Sequence, residues 1–287
     1  MVTRITPILV GTFELDGGAM FGVVPKSVWE RVYPPEEGSN RCRWATRCLL
    51  VHTDDGRRIV VDTGLGDKDG ERFQAHFRPR LHESLGWHLR AAALDPAEVT
   101  DVFLTHLHFD HVGGASYRDD AGDLKLVFPD ARHWVCDRHW EWAQSPNARE
   151  AASFLETNLA PLRASGRLRF LPAERDDYEW LPGIRLRTLY GHTEAMQLLL
   201  FDRPDEPTIA YCADLLPSHA HLSLPWVMAY DLRPLDTLAE KERLLDEAVA
   251  GDWTLLFEHD ARYAAARLER DARGRVVSRE LLEKFTF

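Results

Sequence analysis

No stretch of the sequence is apolar for long enough to span a membrane. The opening residues, MVTRITPILVGTFELDGG, hold only a short apolar stretch, broken by Pro7 and running into Glu14 and Asp16. They lack the apolar centre and small-residue cleavage site of a secretory leader, so the cytoplasm is the expected location. Cysteine is scarce. Cys42, Cys48, Cys136 and Cys212 are scattered without a Cys-x-x-Cys pair, which argues against both a disulfide framework and a thiolate zinc site and predicts reduced, buried thiols. Basic residues are outnumbered, 35 Lys and Arg against 46 Asp and Glu, for a formal net charge of -11. An acidic surface repels phosphates, which argues against a dedicated nucleic-acid binder. Internal repeats, low-complexity tracts and Gly/Ser/Pro-rich linkers are also missing.

What is present is a chain of 287 residues, 45% of them apolar, enough for a large core in one big domain or two fused halves. A single domain over 1–287 is the simpler reading. The runs CLLVHT (48–53) and RIVVDTG (58–64), separated by Asp54, Asp55 and Gly56, predict a central, buried hairpin. Asp95 followed by Pro96 predicts a short helix leading into a strand at 101–106. Further strands are expected at 125–128, 133–136, 168–171, 184–190, 197–201, 208–214 and 253–260. Helices are expected at 137–145, 149–164 and 236–250, the last stopping at Gly251. Many strands with interspersed helices imply a layered α/β architecture. Three predicted strands end in His106, Asp214 and His259, and a fourth runs through Gly191 into His192, so polar groups can converge on one sheet edge.

The segment Thr105–Gly114, THLHFDHVGG, holds four metal-binding side chains in six residues, in the pattern HxHxDH. Imidazoles and carboxylates suit zinc and similar divalent ions, and a bound cation offsets the cost of crowding them beside an apolar strand. Downstream, Gly191-His192-Thr193, Ala213-Asp214 and His259 each follow an apolar strand. In the order and broad spacing of these elements, from about residue 45 to about residue 260, the chain resembles the metallo-β-lactamase superfamily. Within that superfamily it is most similar to the N-acyl homoserine lactonases and methyl parathion hydrolases.

The resemblance implies a four-layer αββα sandwich with its metals at the sheet edge. It implies that His106, His108 and His192 hold one divalent ion, that Asp110, His111 and His259 hold a second, and that Asp214 bridges them. Asp62, in VVDTG, would orient a ligand histidine from behind. Zinc is the expected metal, with manganese, iron and cobalt tolerated by the same donors. A hydroxide shared by the two ions would attack an electrophile, with Asp110 as general acid and base as well as ligand. The expected substrate is a small lactone or carboxylic ester, which would make the chain a lactonase or esterase with a quorum-quenching role and promiscuous phosphotriesterase activity. A thioesterase or other hydrolase of the superfamily is the alternative, and a non-catalytic, metal-dependent ligand sensor is the alternative of another class.

The sequence departs from the family pattern in places. Glu194, Ala195 and Met196 stand where Pro-Gly-His usually follows Thr193. Leu215, Leu216 and Pro217 follow Asp214 where homoserine lactonases carry a nearby tyrosine, for which Tyr230 is the candidate substitute. Cys212 reads as a strand-core residue beside the bridging aspartate. His76, His82 and His88 match no ligand spacing, and the segment 65–95 that holds them is the expected active-site lid. His219 and His221 either face the pocket or serve an ordinary loop. Residues 1–45 form the expected entry segment. There Met20, Phe21, Val23, Val24, Trp29 and Tyr33 either wall an apolar substrate pocket, pack on the core or form a homodimer contact.

Overall fold

In the computed structural model, which describes residues 1–81 and 83–286, the chain divides into two compact units. His82, one of the discounted histidines, lies outside the described residues. The first unit comprises chiefly Met1–Thr12 and Thr46–Glu174, the second Phe13–Ala45 and Arg175–Phe285. No helix among the described residues is long and apolar enough to cross a membrane.

The first unit is built on strands β1 (Val2–Asp16), β2 (Arg41–Thr53), β3 (Arg58–Val61), β4 (Arg80–Leu81) and β5 (Asp101–Phe103), followed by the hairpin β6 (Ser116–Arg118) and β7 (Leu124–Leu126), then β8 (Arg132–Cys136) and β9 (Leu168–Leu171). The sheet order is β4-β1-β2-β3-β5-β8-β9, so the predicted hairpin of β2 and β3 is central, pairing Leu49 with Val61 and turning at Gly56 with φ 85°. From β3 to β9 the neighbours run parallel. Parallel strands are covered on both faces, which accounts for the burial of Val60, Val61, Val102, Phe103 and Val135. Leu50, Val60, Val102, Leu104, Val112, Phe128 and Leu162 belong to one apolar cluster, each contributing about 1.5–3 kcal/mol by leaving water.

The second unit carries strands β10 (Tyr178–Leu181), β11 (Ile184–Leu189), β12 (Met196–Arg203), β13 (Glu206–Tyr211), β14 (Thr254–Leu256), β15 (Ala265–Arg270) and β16 (Val276–Leu282), adjacent in chain order. All neighbours are antiparallel except β13 and β14. A parallel pair needs a long crossover, and the helix Pro234–Ala250 lies within it. Its buried residues Thr237, Lys241, Leu244, Leu245 and Ala248 recur at helical spacing. Lys241 is fully buried, and its ammonium donates to the carbonyls of Ser223, Leu224 and Trp226 at 2.7, 3.2 and 2.8 Å. Burial holds its pKa down to about 7.

Several elements differ from expectation. The helix after Asp95 is a single 3-10 turn, Pro96–Glu98, closed by a capping box. The helix expected at 149–164 is split into a turn, Ala151–Ser153, and the helix Glu156–Ala164, because Phe154 and Leu155 take extended backbone angles between them. Strands β5, β13 and β14 stop at Phe103, Tyr211 and Leu256, so His106, Asp214 and His259 stand on the loops beyond them. The helix expected from Asp236 opens at Pro234, where a missing N–H costs nothing. All four cysteines are free and buried, as expected.

Candidate metal centre

Strand direction decides where the candidate ligands emerge. In the second unit β11 and β13 are both antiparallel to β12, and β14 is parallel to β13, so β11, β13 and β14 all point the same way. His192, Asp214 and His259 therefore leave the same edge of one sheet, beyond its carboxyl ends. In the first unit β3 and β5 are parallel, so Asp62 and His106 leave a common edge by the same logic.

The first unit fixes its histidines from behind. Asp62, buried and held at φ 52°, accepts from the Thr105 amide and the Thr105 hydroxyl, both at 2.8 Å. Having donated its own proton, Thr105 Oγ1 accepts from His106 Nδ1 at 3.1 Å, which leaves Nε2 as the lone-pair nitrogen of His106. Asp62 Oδ2 also lies 3.2 Å from His111 Nδ1, freeing Nε2 of that ring. His108 is turned the other way. Its Nε2 donates to Glu150 Oε1 at 2.9 Å, while Glu150 Oε2 accepts from Trp142 Nε1 at 2.7 Å, and this leaves Nδ1. His106 Nε2 and His108 Nδ1, the two nitrogens left as acceptors, face each other at 3.1 Å. Two lone pairs at that distance repel unless a cation lies against both. Asp110 and His111 follow on the short helix Phe109–Val112, and His139 Nε2 accepts from the Leu107 amide at 2.8 Å. The glycine pair that follows is dictated by crowding: a Cβ on Gly113 would lie 1.9 Å from the Leu65 carbonyl oxygen, and one on Gly114 2.1 Å from that of Thr63. Lys68, buried with its pKa lowered to about 8 by desolvation, donates to the Gly113 carbonyl and ties the start of the 65–95 segment to the motif.

The second unit repeats the device. His192 Nδ1 is held by Asp231 at 3.0 Å and His259 Nδ1 by the Ala45 carbonyl at 2.7 Å. Their Nε2 atoms meet the two oxygens of a single carboxylate: His192 lies 3.0 Å from Asp214 Oδ2 and His259 2.9 Å from Asp214 Oδ1. Asp214 thus divides its oxygens between two imidazoles. Burial alone would drive His192 toward neutrality, but the carboxylates of Asp214 and then Asp231 outweigh it and hold its pKa up to about 10. That pull is for positive charge at Nε2, which a divalent cation supplies. Ala195 (φ 54°) and Ala213 (φ 43°) are strained next to these ligands, as is Asp62 in the first unit. By donor type, tautomer and direction the residues fit a metal.

The other sequence candidates have surroundings of their own. Phe21 and Trp29 are buried and stacked at 5.2 Å, and Phe21 stacks on His221 at 5.0 Å. Both nitrogens of His221 are engaged, by the Ser218 hydroxyl at 2.8 Å and the Met20 carbonyl at 2.9 Å. Burial and then the Lys241 charge lower its pKa to about 3. His219 pairs through Nδ1 with Asp260, and Tyr230 is exposed. Burial pushes the Cys212 thiol up, away from the thiolate a metal would bind. His76 and His88 adjoin aromatic rings, Phe77 and Trp87. Glu150, Asp231, His139 and the Ala45 carbonyl were not found by sequence reasoning. Glu150 and Asp231 stand 42 and 39 residues from the histidines they hold, with no motif around either.

Comparison with known proteins places these features in context. The metallo-beta-lactamase superfamily model matches residues 43–259. An N-acyl homoserine lactonase AttM of Rhizobium radiobacter is 25% identical over 224 residues, 74% of this chain and 81% of its own length. Two other AttM lactonases, from Azorhizobium caulinodans and Agrobacterium fabrum, are matched over only 56% and 62% of theirs. Among solved structures, a probable metal-dependent hydrolase from Staphylococcus aureus superposes with a TM-score of 0.86 at 28% identity, covering 98% of this chain and 96% of that one. AidC, a dizinc quorum-quenching lactonase in complex with a product, shares the fold at a TM-score of 0.74 and 17% identity, covering 96% of each chain.

Proposed function

The chain belongs to the metallo-beta-lactamase superfamily and has its fold, and from that premise we propose that it is a dinuclear, metal-dependent hydrolase of lactones or carboxylic esters. One observation carries the reading: each of five buried imidazoles has one ring nitrogen committed to a protein acceptor and the other turned toward a further histidine or a carboxylate. In this reading His106, His108 and His192 hold one ion, Asp110, His111 and His259 a second, and Asp214 is shared. When bound, two such ions, zinc first among those the donors accept, would supply the Lewis acidity that activates water near neutral pH.

The chain's own groups do the rest. Asp110, 8% exposed on the helix Phe109–Val112, takes the proton from the attacking water and returns it to the alkoxide as the acyl C–O bond breaks. A lactone then leaves as a hydroxy acid. Phe109 meets Phe73 at 5.4 Å and Phe77 at 4.5 Å, and both partners lie on the helix Glu71–Phe77 within the 65–95 segment. That segment acts as a lid whose aromatic rings cover an apolar acyl group, which favours acylated lactones of the kind named for the bacterial relatives. Val23, Val28 and Val32, all exposed, supply the apolar contact of a homodimer through residues 1–45.

The test is to purify the protein, quantify its metals and measure hydrolysis of N-acyl homoserine lactones, simple lactones, aryl esters, a thioester and a phosphotriester, with chelated protein as control. Chelator-sensitive lactone or ester turnover with about two metals per chain is the expected result. Turnover of the thioester alone would move the assignment to a thioesterase. Tight metal with substrate bound and unchanged would make the chain a sensor.

A further inference from the structure

We propose that Asp231 is the positioning residue that delivers His192 to the metal, an assignment that rests on the metal-dependent reading above. Asp231 is 1% exposed, and both its oxygens are engaged: Oδ1 holds His192 Nδ1 at 3.0 Å and Oδ2 accepts from the Met228 amide at 3.1 Å. The carboxylate is thus locked before it meets the ring, and it fixes both the ring's rotation and the Nδ1–H tautomer.

The residues after Asp231 hold the backbone of the same loop. The Leu232 amide donates to the His192 carbonyl at 3.1 Å, and the Arg233 amide to that of Gly191 at 2.8 Å. The Arg233 guanidinium donates to the Tyr190 carbonyl at 2.7 Å and to Glu194 at 2.6 Å. Glu240 accepts from the Tyr190 and Gly191 amides at 2.6 and 3.1 Å. Gly191 is obligatory here, since a Cβ would lie 2.3 Å from the Thr237 amide nitrogen. Residues 231–240 therefore replace, from outside, whatever rigidity a Pro-Gly-His continuation would have given, and Glu194 is recruited as an anchor in its stead. Among these contacts only that of Asp231 reaches the imidazole. Its position matches those of Glu150 behind His108 and Asp62 behind His111.

The experiment measures zinc affinity by chelator competition for the wild type, Asp231→Ala and Asp231→Asn, with melting curves to establish folding. Loss of a partner behind a ligand histidine weakens metal binding about 10- to 100-fold, and that is the effect expected of Asp231→Ala. The Asn amide oxygen can still accept the Nδ1 proton, but its NH2 then faces the Met228 amide that Oδ2 accepted from, so Asp231→Asn is expected to recover part of the affinity lost in Asp231→Ala. Wild-type affinity in Asp231→Ala overturns the assignment, as does an Asn variant no better than Ala. Should the Ala variant fail to fold, nitrogen-15 spectra of the zinc-loaded wild type decide: protonated Nδ1 with metal-bound Nε2 on His192 supports the role, and the reverse tautomer overturns it. A wild type that binds zinc but hydrolyses nothing removes the hydrolase reading and leaves Asp231 in place. Hydrolysis together with an indifferent Asp231→Ala does the opposite.

Discussion

Asp62 and Thr105 are joined at two points, the amide to Oδ1 and the hydroxyl to Oδ2, both at 2.8 Å and both buried. The same carboxylate also reaches His111, so one side chain behind the motif holds the strand end before His106 and the ring of His111. Asp62→Ala leaves the Thr105 donors and His111 Nδ1 without that acceptor in a dry site, each at about 1–3 kcal/mol. A clear drop in melting temperature with partial loss of metal is expected. Wild-type stability with full metal content would show that Asp62 holds neither.

Ligand substitutions separate binding from chemistry. His106→Ala and Asp214→Ala are expected to lose metal and hydrolysis together, since each removes a donor that the protein has oriented. Asp110→Asn keeps an oxygen donor but no longer relays a proton, so activity should fall by more than metal content does, by about 10²–10⁴-fold for a lost general acid–base. Metal analysis alongside turnover decides this, and full turnover in either alanine variant would place the centre elsewhere.

His221 gives the fold a pH dependence of predictable sign. Its folded pKa, about 3, lies below the ordinary 6.5 because of burial and then the Lys241 charge. Between those values the unfolded chain takes up a proton that the folded chain refuses, so stability contributed by neutral His221 is full above pH 6.5 and is lost as pH falls toward 3. Within that window the slope approaches about 1.4 kcal/mol per pH unit. Urea midpoints across pH 4–7 should fall less steeply for His221→Gln. Identical slopes for variant and wild type would remove His221 as the source.

Crowding at the glycine pair predicts a sharp contrast. Gly113→Ala forces a methyl to 1.9 Å from the Leu65 carbonyl oxygen, where backbone must move and His111 moves with it. Gly70→Ala, in the segment 65–95, meets nothing within 4 Å. The first should unfold or lose metal and the second should behave as wild type, as melting curves and metal content would show.

The motif residues were legible because they are local. THLHFDHVGG announces its chemistry within ten positions, and the hairpin of β2 and β3 announces itself through Asp54, Asp55 and Gly56. Other features were not. Strand β1, with Pro7 and Gly11 inside it, reads as a broken apolar stretch, and its extended form comes from pairing with neighbours distant in sequence, such as Gly11 with Leu81. Strands β15 and β16 carry Arg267, Glu269, Arg279 and Glu280 on exposed positions and show too little apolar alternation to predict. Burial of Phe21, Trp29 and His221 in one aromatic cluster likewise depends on residues some 200 positions apart. The supports behind His108 and His192 share that origin, since a carboxylate 42 or 39 residues away has no local signature.

The helix Pro234–Ala250 lies in the crossover that brings β14 parallel to β13, and through Glu240 it also fastens the loop of His192. A connection and a clamp are thus the same piece of chain. If heat frays the first turns of this helix, the backbone before His192 loses that hold while the sheet's ladder is still intact. Inactivation on warming would then run ahead of melting, and it would reverse on cooling for as long as the sheet had held.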